Sequence, residues 1–350
     1  DADQINLLTS LKKKFPNPKV ALVVPMTSLR KTLKRVFKNI NGLNANMVIG
    51  PTQLAKEKYD ILFVDEAPRL KRRKNLTGYG AFDNASKALG FDKRHTALDW
   101  VEKQCSHHIL FYDANQSIKP SDIRKERFDK LIKESVVIQL QSQMRVKGGK
   151  DYIDYIDKLL NINIQEDKPK FESDKYELEL FDSLQPMIDK INAKEEEFGL
   201  CRLVAGFSWE WKSAKSDVYD ISIEGIDLKW NYDTKDWINS ANAINEVGCI
   251  HTTQGYDLNY TGIIFGKEIS YDPVKKEIFV IKKNYHDKKG KAGIVDDSVL
   301  KSYIINIYKT LMYRGIRGTY VYVCDDNLRA YFKDHIKPNQ IESKIRRLPF

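Results

Sequence analysis

The run Ile61-Leu62-Phe63-Val64 is apolar at every position and ends on two adjacent carboxylates, Asp65 and Glu66. A strand without polar alternation is one covered on both faces, the mark of a parallel sheet inside an α/β fold. Further strands are expected at residues 19–25, 47–49, 109–112 and 136–140, interleaved with helical spacing at 27–37, 96–105 and 122–132. Alternating strands and helices imply right-handed crossovers and a mostly parallel sheet. Ligands of such sheets bind outside the carboxyl ends of the strands, where Asp65 and Glu66 emerge. One carboxylate there can hold Mg²⁺ while its neighbour polarises an attacking water. The competing reading is a helix first turn whose acidic residues suit the dipole.

With 350 residues, 42% of them hydrophobic, the chain has core enough for two domains. The polar, Pro-containing segment 164–174 follows an expected helix at 152–160 and sets the expected division, domain 1 at 1–163 and domain 2 at 175–340. Domain 2 repeats the alternation, with strands at 176–181, 200–205, 247–250, 262–265 and 319–323 and helices at 184–193 and 299–313. Two insertions interrupt it, a Trp- and Tyr-rich stretch at 209–237 and a hairpin-like region at 271–291. Residues 71–92 open on Lys71-Arg72-Arg73-Lys74, lack periodicity and are expected to form a mobile basic loop. No apolar run of about 18 residues occurs and no secretory leader opens the chain, so a cytoplasmic location without membrane insertion is expected. Cys105, Cys201, Cys249 and Cys324 form no C-x-x-C pair and read as core residues. The net charge of +10 suits a polyanionic partner but by itself decides little.

The next expected strand ends in Asp113-Ala114-Asn115-Gln116, beside Glu66 if the sheet is parallel. The Gln116 amide can donate to a γ-phosphate or its attacking water, although Asp113 and Asn115 also suit a plain turn. Arg145 follows a strand, and Arg314 and Arg317 follow a helix. Guanidinium groups keep their charge and bridge phosphate oxygens, while the helix dipole offers Arg314 and Arg317 a structural explanation. Thr252 and Thr253, after the strand at 247–250, can present hydroxyls to a phosphate. Lys282, Lys283, Tyr285 and Lys288 interleave cations with an aromatic ring, as a strand-contacting loop would; a solvated hairpin tip guarded by lysines is the alternative.

Together these blocks resemble the Schlafen group 3-like DNA/RNA helicase domain, within superfamily 1 helicases. Residues 25–30 correspond to motif Ia, Val64-Asp65-Glu66-Ala67 to motif II, residues 113–116 to motif III, Gln143-Met144-Arg145 to motif IV, residues 251–255 to motif V and residues 311–317 to motif VI. The resemblance implies two RecA-like domains with mostly parallel sheets, insertions in the second, and ATP with Mg²⁺ at their interface. It further implies that Asp65 binds Mg²⁺, Glu66 activates water, Gln116 and Gln254 sense the γ-phosphate, and Arg145 with Arg314 neutralises it. Gly255 and Arg317 fall in the same nucleotide-binding motifs, and Thr27, Ser28, Thr252 and Thr253 would face single-stranded DNA or RNA. A nuclease domain, fused or associated, is also implied. The phosphate-cradling G-x-x-x-x-G-K-[ST] pattern does not occur in the 350 residues, although residues 5–12 look like the helix that would follow it. By themselves these residues are therefore expected to hold ATP weakly and to be inactive as an ATPase.

Overall fold

The computed structural model describes residues 18–140, 144–165, 169–214, 216–232, 237–240 and 242–339. They divide into two compact units, Asp1–Ser135 and Val136–Phe350. The expected helix at 5–12 and Gln143 of motif IV lie outside the described residues.

In the first unit β1 (Val20–Val23), β2 (Val48–Ile49), β3 (Tyr59–Val64) and β4 (Cys105–Leu110) form one parallel sheet in the order β2-β1-β3-β4. Val23 is level with Val64, and Val64 with Leu110, so these three strands end together and their following loops share one edge. Leu62 and Val64 are wholly buried while Ile61 and Phe63 are half-buried, so one face of β3 is covered more completely than the other. The helix Ala97–Gln104 starts on a capping box, with the Thr96 amide donating to Asp99 Oδ2 at 2.6 Å. It lays Leu98, Trp100 and Val101 into the core, where Trp100 meets Phe82 at 4.6 Å between ring centroids.

The stretch 71–92 is ordered, contrary to expectation. It contains the helix Gly80–Ala88, Arg73 forks onto both oxygens of Asp83 at 2.6 and 2.9 Å, and Lys71 pairs with Asp122. A run of like charge reads as mobile only until its distant carboxylates are found. The strand expected at 136–140 does not form either: Val136 is 94% and Leu140 82% exposed, and among the described residues no strand pairs with them. Apolar side chains do not make a strand without a neighbouring edge to satisfy the backbone.

The second unit holds an eight-stranded sheet in the order β14-β5-β13-β10-β6-β9-β8-β7. Its strands are β5 (Glu177–Phe181), β6 (Cys201–Ala205), β7 (Ile221–Ile223), β8 (Ile226–Trp230), β9 (Glu246–Gly248), β10 (Leu258–Phe265), β13 (Gly315–Val323) and β14 (Lys337–Pro338). Only the β7/β8 pair is antiparallel, so the Trp-rich insertion extends the sheet as a hairpin, and Trp230 and Trp237 are buried. The second insertion folds as the separate antiparallel pair β11 (Ile269–Asp272) and β12 (Glu277–Val280). All four cysteines are free thiols, with Cys105, Cys201 and Cys249 buried.

The chain does not divide at 164–174. The helix Gly149–Leu160 is bound into the second unit, where Tyr152 Oη donates to Met312 O at 2.9 Å and Tyr155 Oη to His335 O at 2.6 Å. Phe171 packs edge-on against Tyr152 at 5.5 Å and Lys170 Nζ donates to Lys333 O, so residues 170 and 171 of the polar segment are anchored there. Polarity marked it as a linker, but Lys170, Phe171 and Glu172 hold its described part, Glu172 by pairing with Lys337 Nζ at 2.7 Å.

Glu268 lies fully buried in this unit, accepting from Tyr308 Oη at 2.7 Å, and a Cβ on Gly206 would strike both residues. Burial lifts its carboxyl above the ordinary 4.5, despite the hydroxyl that favours the anion. A raised folded value means that its stabilising contribution is complete below pH 4.5 and is lost as pH rises through the folded value. Thermal melts of the second unit across pH 4 to 8 should therefore show a declining slope that Glu268→Gln flattens. An unchanged slope would remove Glu268 as its cause.

Candidate functional site

Asp65 and Glu66 stand where β3 ends. The Asp65 amide still donates to Val23 O at 3.0 Å, so the sheet ladder reaches the first carboxylate and stops at the second. Glu66 turns left-handed, at φ 49° and ψ 49°, a conformation that costs a residue with a Cβ about 1–2 kcal/mol. Its neighbours hold it there: the Ala67 amide donates to Phe111 O at 2.9 Å and the Arg69 amide to Glu66 O at 2.8 Å. Beyond β4, Asp113 Oδ1 accepts from the Asn115 amide at 2.9 Å and Asp113 O from the Gln116 amide at 3.1 Å. This turn delivers the Gln116 side chain to Glu66. With its nitrogen turned toward the carboxylate, Gln116 donates to both Glu66 oxygens, at 3.0 Å to Oε1, an orientation assigned because it sets a donor against acceptors. In the opposite orientation Nε2 reaches Asp113 Oδ2 at 3.3 Å.

The loops that carry Glu66 and Gln116 are tied together by a residue that sequence reasoning missed. Asp122, 2% exposed, accepts from the amides of Ile118 and Lys119 at 3.0 and 3.2 Å and pairs with Lys71 Nζ at 2.5 Å and Arg69 Nε at 3.5 Å. Burial by itself would raise its carboxyl; Lys71 and Arg69 overcome this and hold it below the ordinary 3.8. Alongside, the Ile123 amide donates to Leu70 O at 3.1 Å and the Arg72 amide to Ser121 O at 2.9 Å. The run Lys71 to Lys74 was the one hint, since cations drawn partly out of water need carboxylates, but spacing does not say which.

Thr27 opens the helix Thr27–Lys38 and is exposed; its hydroxyl accepts from Arg30 at 2.9 Å, and Arg30 also donates to Val24 O at 3.0 Å. Burial lowers the Arg30 pKa from its ordinary value. Ser28, expected beside Thr27 on the strand-facing side, is instead buried beneath the helix.

In the second unit, Arg145, Gln254 and Arg314 come to one locality. Arg145 pairs with Asp257, the Lys147 amide donates to Ile316 O at 2.8 Å, and Arg314 Nη1 donates to Tyr256 O at 3.4 Å. Gly255 makes the turn at φ 87°, in the left-handed region that glycine enters without a Cβ clash. Gln254 and Arg314 are both buried. Arg317 turns instead to Phe198, 4.5 Å from its ring, and donates to Asn259 Oδ1 at 3.3 Å.

Thr252 and Thr253 do not face outward: they are 2% and 0% exposed. Thr252 Oγ1 accepts from the Cys249 amide at 2.9 Å and donates to Cys249 O at 3.0 Å, and Thr253 Oγ1 donates to the same carbonyl at 2.9 Å. Both hydroxyls are committed to closing the helix Ile250–Thr253. Tyr285 is likewise no stacking platform, being buried against Phe207 at 5.8 Å. Lys282 Nζ donates to Ile294 O at 2.6 Å, whereas Lys283 and Lys288 are exposed.

The donors at the β3 tip suit a hard cation. Mg²⁺ binds through one or two carboxylates and completes its shell with water and phosphate oxygens, which the adjacent Asp65 and Glu66 allow. Among the described residues no group of three or more His, Cys, Asp or Glu is placed to cage a metal.

The sequence profile described as Schlafen group 3, DNA/RNA helicase domain matches residues 5–325. The chain belongs to that family. An uncharacterized protein of Saccharomyces cerevisiae is 25% identical to this Schlafen group 3 helicase domain over 339 residues, which cover 88% of this chain and 73% of the yeast protein. Among solved structures, a Pif1 helicase from Bacteroides with ADP-AlF3 and single-stranded DNA is 10% identical, covering 97% of this chain and 95% of that one at a TM-score of 0.30. The Pif1 helicase of Candida albicans is 11% identical, covering 98% and 92% at a TM-score of 0.30. Membership rests on the sequence match across the motifs, and the parallel α/β sheets of both units agree with a RecA-like, helicase-type fold.

Proposed function

We propose that this chain is the motor core of an ATP-dependent translocase or helicase of superfamily 1 type, acting on single-stranded DNA or RNA. One observation carries the reading: in a helicase-domain family member, a left-handed Glu66 at the tip of a buried strand meets the amide of Gln116 from the next strand. Glu66 takes the proton of the attacking water, and Gln116 aligns water and carboxylate. Asp65 would hold the metal, and Mg²⁺ bound with ATP would supply charge that offsets the phosphate oxygens. Arg145 and Arg314 contribute guanidinium charge as phosphate negative charge redistributes, with Gln254 and Gly255 beside them. Thr27, Lys283 and Lys288 are the exposed members of the strand-contacting set.

The reading requires a phosphate-gripping loop that residues 1–350 do not contain. The alternative is a nucleic-acid-binding scaffold without ATPase activity. ATP turnover of the native protein, with and without single-stranded DNA or RNA, decides between them. Strand-stimulated turnover supports the motor. Strand binding without turnover supports the scaffold, and turnover indifferent to either nucleic acid would point to a nucleotide switch acting on proteins.

A further inference from the structure

The net charge of this chain is concentrated in one place. Residues 4–56 contain ten of the 58 Lys and Arg and none of the 48 Asp and Glu, leaving 48 of each sign elsewhere. The structure shows where part of that charge goes. Lys31, Lys34, Arg35 and Lys38 recur at i, i+3, i+4 and i+7 on the helix Thr27–Lys38, which places all four on one face. Lys31, Arg35 and Lys38 are exposed and Lys34 is half-buried. The opposite face carries Leu29 and Leu33, with Leu29 buried against the unit. Arg30, also on this helix, is withdrawn from the strip by its bonds to Val24 O and Thr27.

We propose that the outer face of the helix Thr27–Lys38 is a docking surface for the phosphate backbone of a nucleic-acid duplex, read without regard to sequence. The strip runs about 10 Å along the helix axis, on a helix whose sequence contains no carboxylate. Surfaces for single strands add exposed aromatic platforms for the bases. Here the one aromatic ring, Phe37, is half-buried away from the strip, so the helix offers contacts for phosphates and none for bases. A membrane-bound helix would need its whole apolar face free; here Val36 is 44% exposed, but Leu29 is buried and Leu33 half-buried against the unit. The surface acts without nucleotide, so it neither requires nor establishes the motor chemistry proposed above.

The test is equilibrium binding of blunt DNA and RNA duplexes to the nucleotide-free protein across a KCl series. The combined variant Lys31→Gln, Lys34→Gln, Lys38→Gln should lower the slope of log K against log salt by about two to three, since each neutralised phosphate contributes about 0.9. Replacing Lys31, Lys34 and Lys38 by Arg should keep the slope, and thermal melts should match the parent in both variants. A control that changes the exposed Lys87, Lys93, Lys130 and Lys133 to Gln, drawn from the charge-balanced remainder, should leave it intact. An unchanged slope in the strip variant, or an equal loss in the control, overturns the proposal. Strip-dependent capture of phosphatidylserine vesicles with no duplex binding would overturn it in favour of a membrane contact.

Discussion

Glu66→Gln, assayed in the native protein with ATP and single-stranded DNA, is expected to lower turnover by about 10²–10⁴-fold, the usual contribution of a general base. The substitution keeps the shape of the side chain and its left-handed position, and replaces a proton acceptor with an amide. Gln116 then faces an amide oxygen that still accepts its hydrogen bond but no longer draws a proton from water. Strand binding in the absence of nucleotide should be retained, because the expected strand contacts lie on other residues. Gln116→Ala should fall between parent and Glu66→Gln, since it removes alignment and leaves the base in place. A Glu66→Gln protein as active as its parent would falsify the catalytic assignment and leave the Glu66–Gln116 contact as ordinary loop packing.

Asp122→Asn is expected to destabilise the first unit by about 3–5 kcal/mol, the cost of leaving the buried Arg69 guanidinium, with the half-buried Lys71 beside it, without a counterion. Asparagine retains an oxygen for the amides of Ile118 and Lys119, so the loss isolates the charge and not the turn. Adding Lys71→Met should restore part of it, because the removed cation no longer demands a partner. The pH dependence gives an independent check. Asp122 has a lowered folded value, so its contribution is present above pH 3.8 and disappears as pH falls through the folded value. The parent should therefore lose stability in acid by a step that the variant lacks. Identical melting curves for parent and Asp122→Asn at neutral pH would show that the tie between the two loops is not structural.

Much of the architecture was legible because burial leaves its pattern in the residues. The run at 61–64 announced a buried parallel strand, and the apolar spacing of Leu98 and Val101 announced a helix. The hairpin expected at 271–291 was visible in part: residues 269–280 form the antiparallel pair, while 288–291 are helical. Errors arose where a local pattern needed a partner. Residues 136–140 are as apolar as any strand but are given no pairing edge among the described residues. The polar segment 164–174 looked like a linker, yet Phe171 and Lys170 bind it to the helices of the second unit.

The candidate site divides along the same line. The order of the motifs, the acidic pair after a buried strand and the glutamine after the next one are properties of the sequence, because residue type and local period are written there. That Gln116 turns onto Glu66 depends on Val64 and Leu110 ending level in adjacent parallel strands, and a register between strands separated by some forty residues of chain leaves no trace in either one. Direction and burial were equally undetermined: Thr252, Thr253 and Tyr285 have the chemistry to meet a nucleic acid, and the fold commits them to a helix cap and a core. Local composition determined which groups this protein possesses. Only the packing of distant segments decided which of them meet, since hydrogen bonds and buried charges are satisfied by neighbours in space.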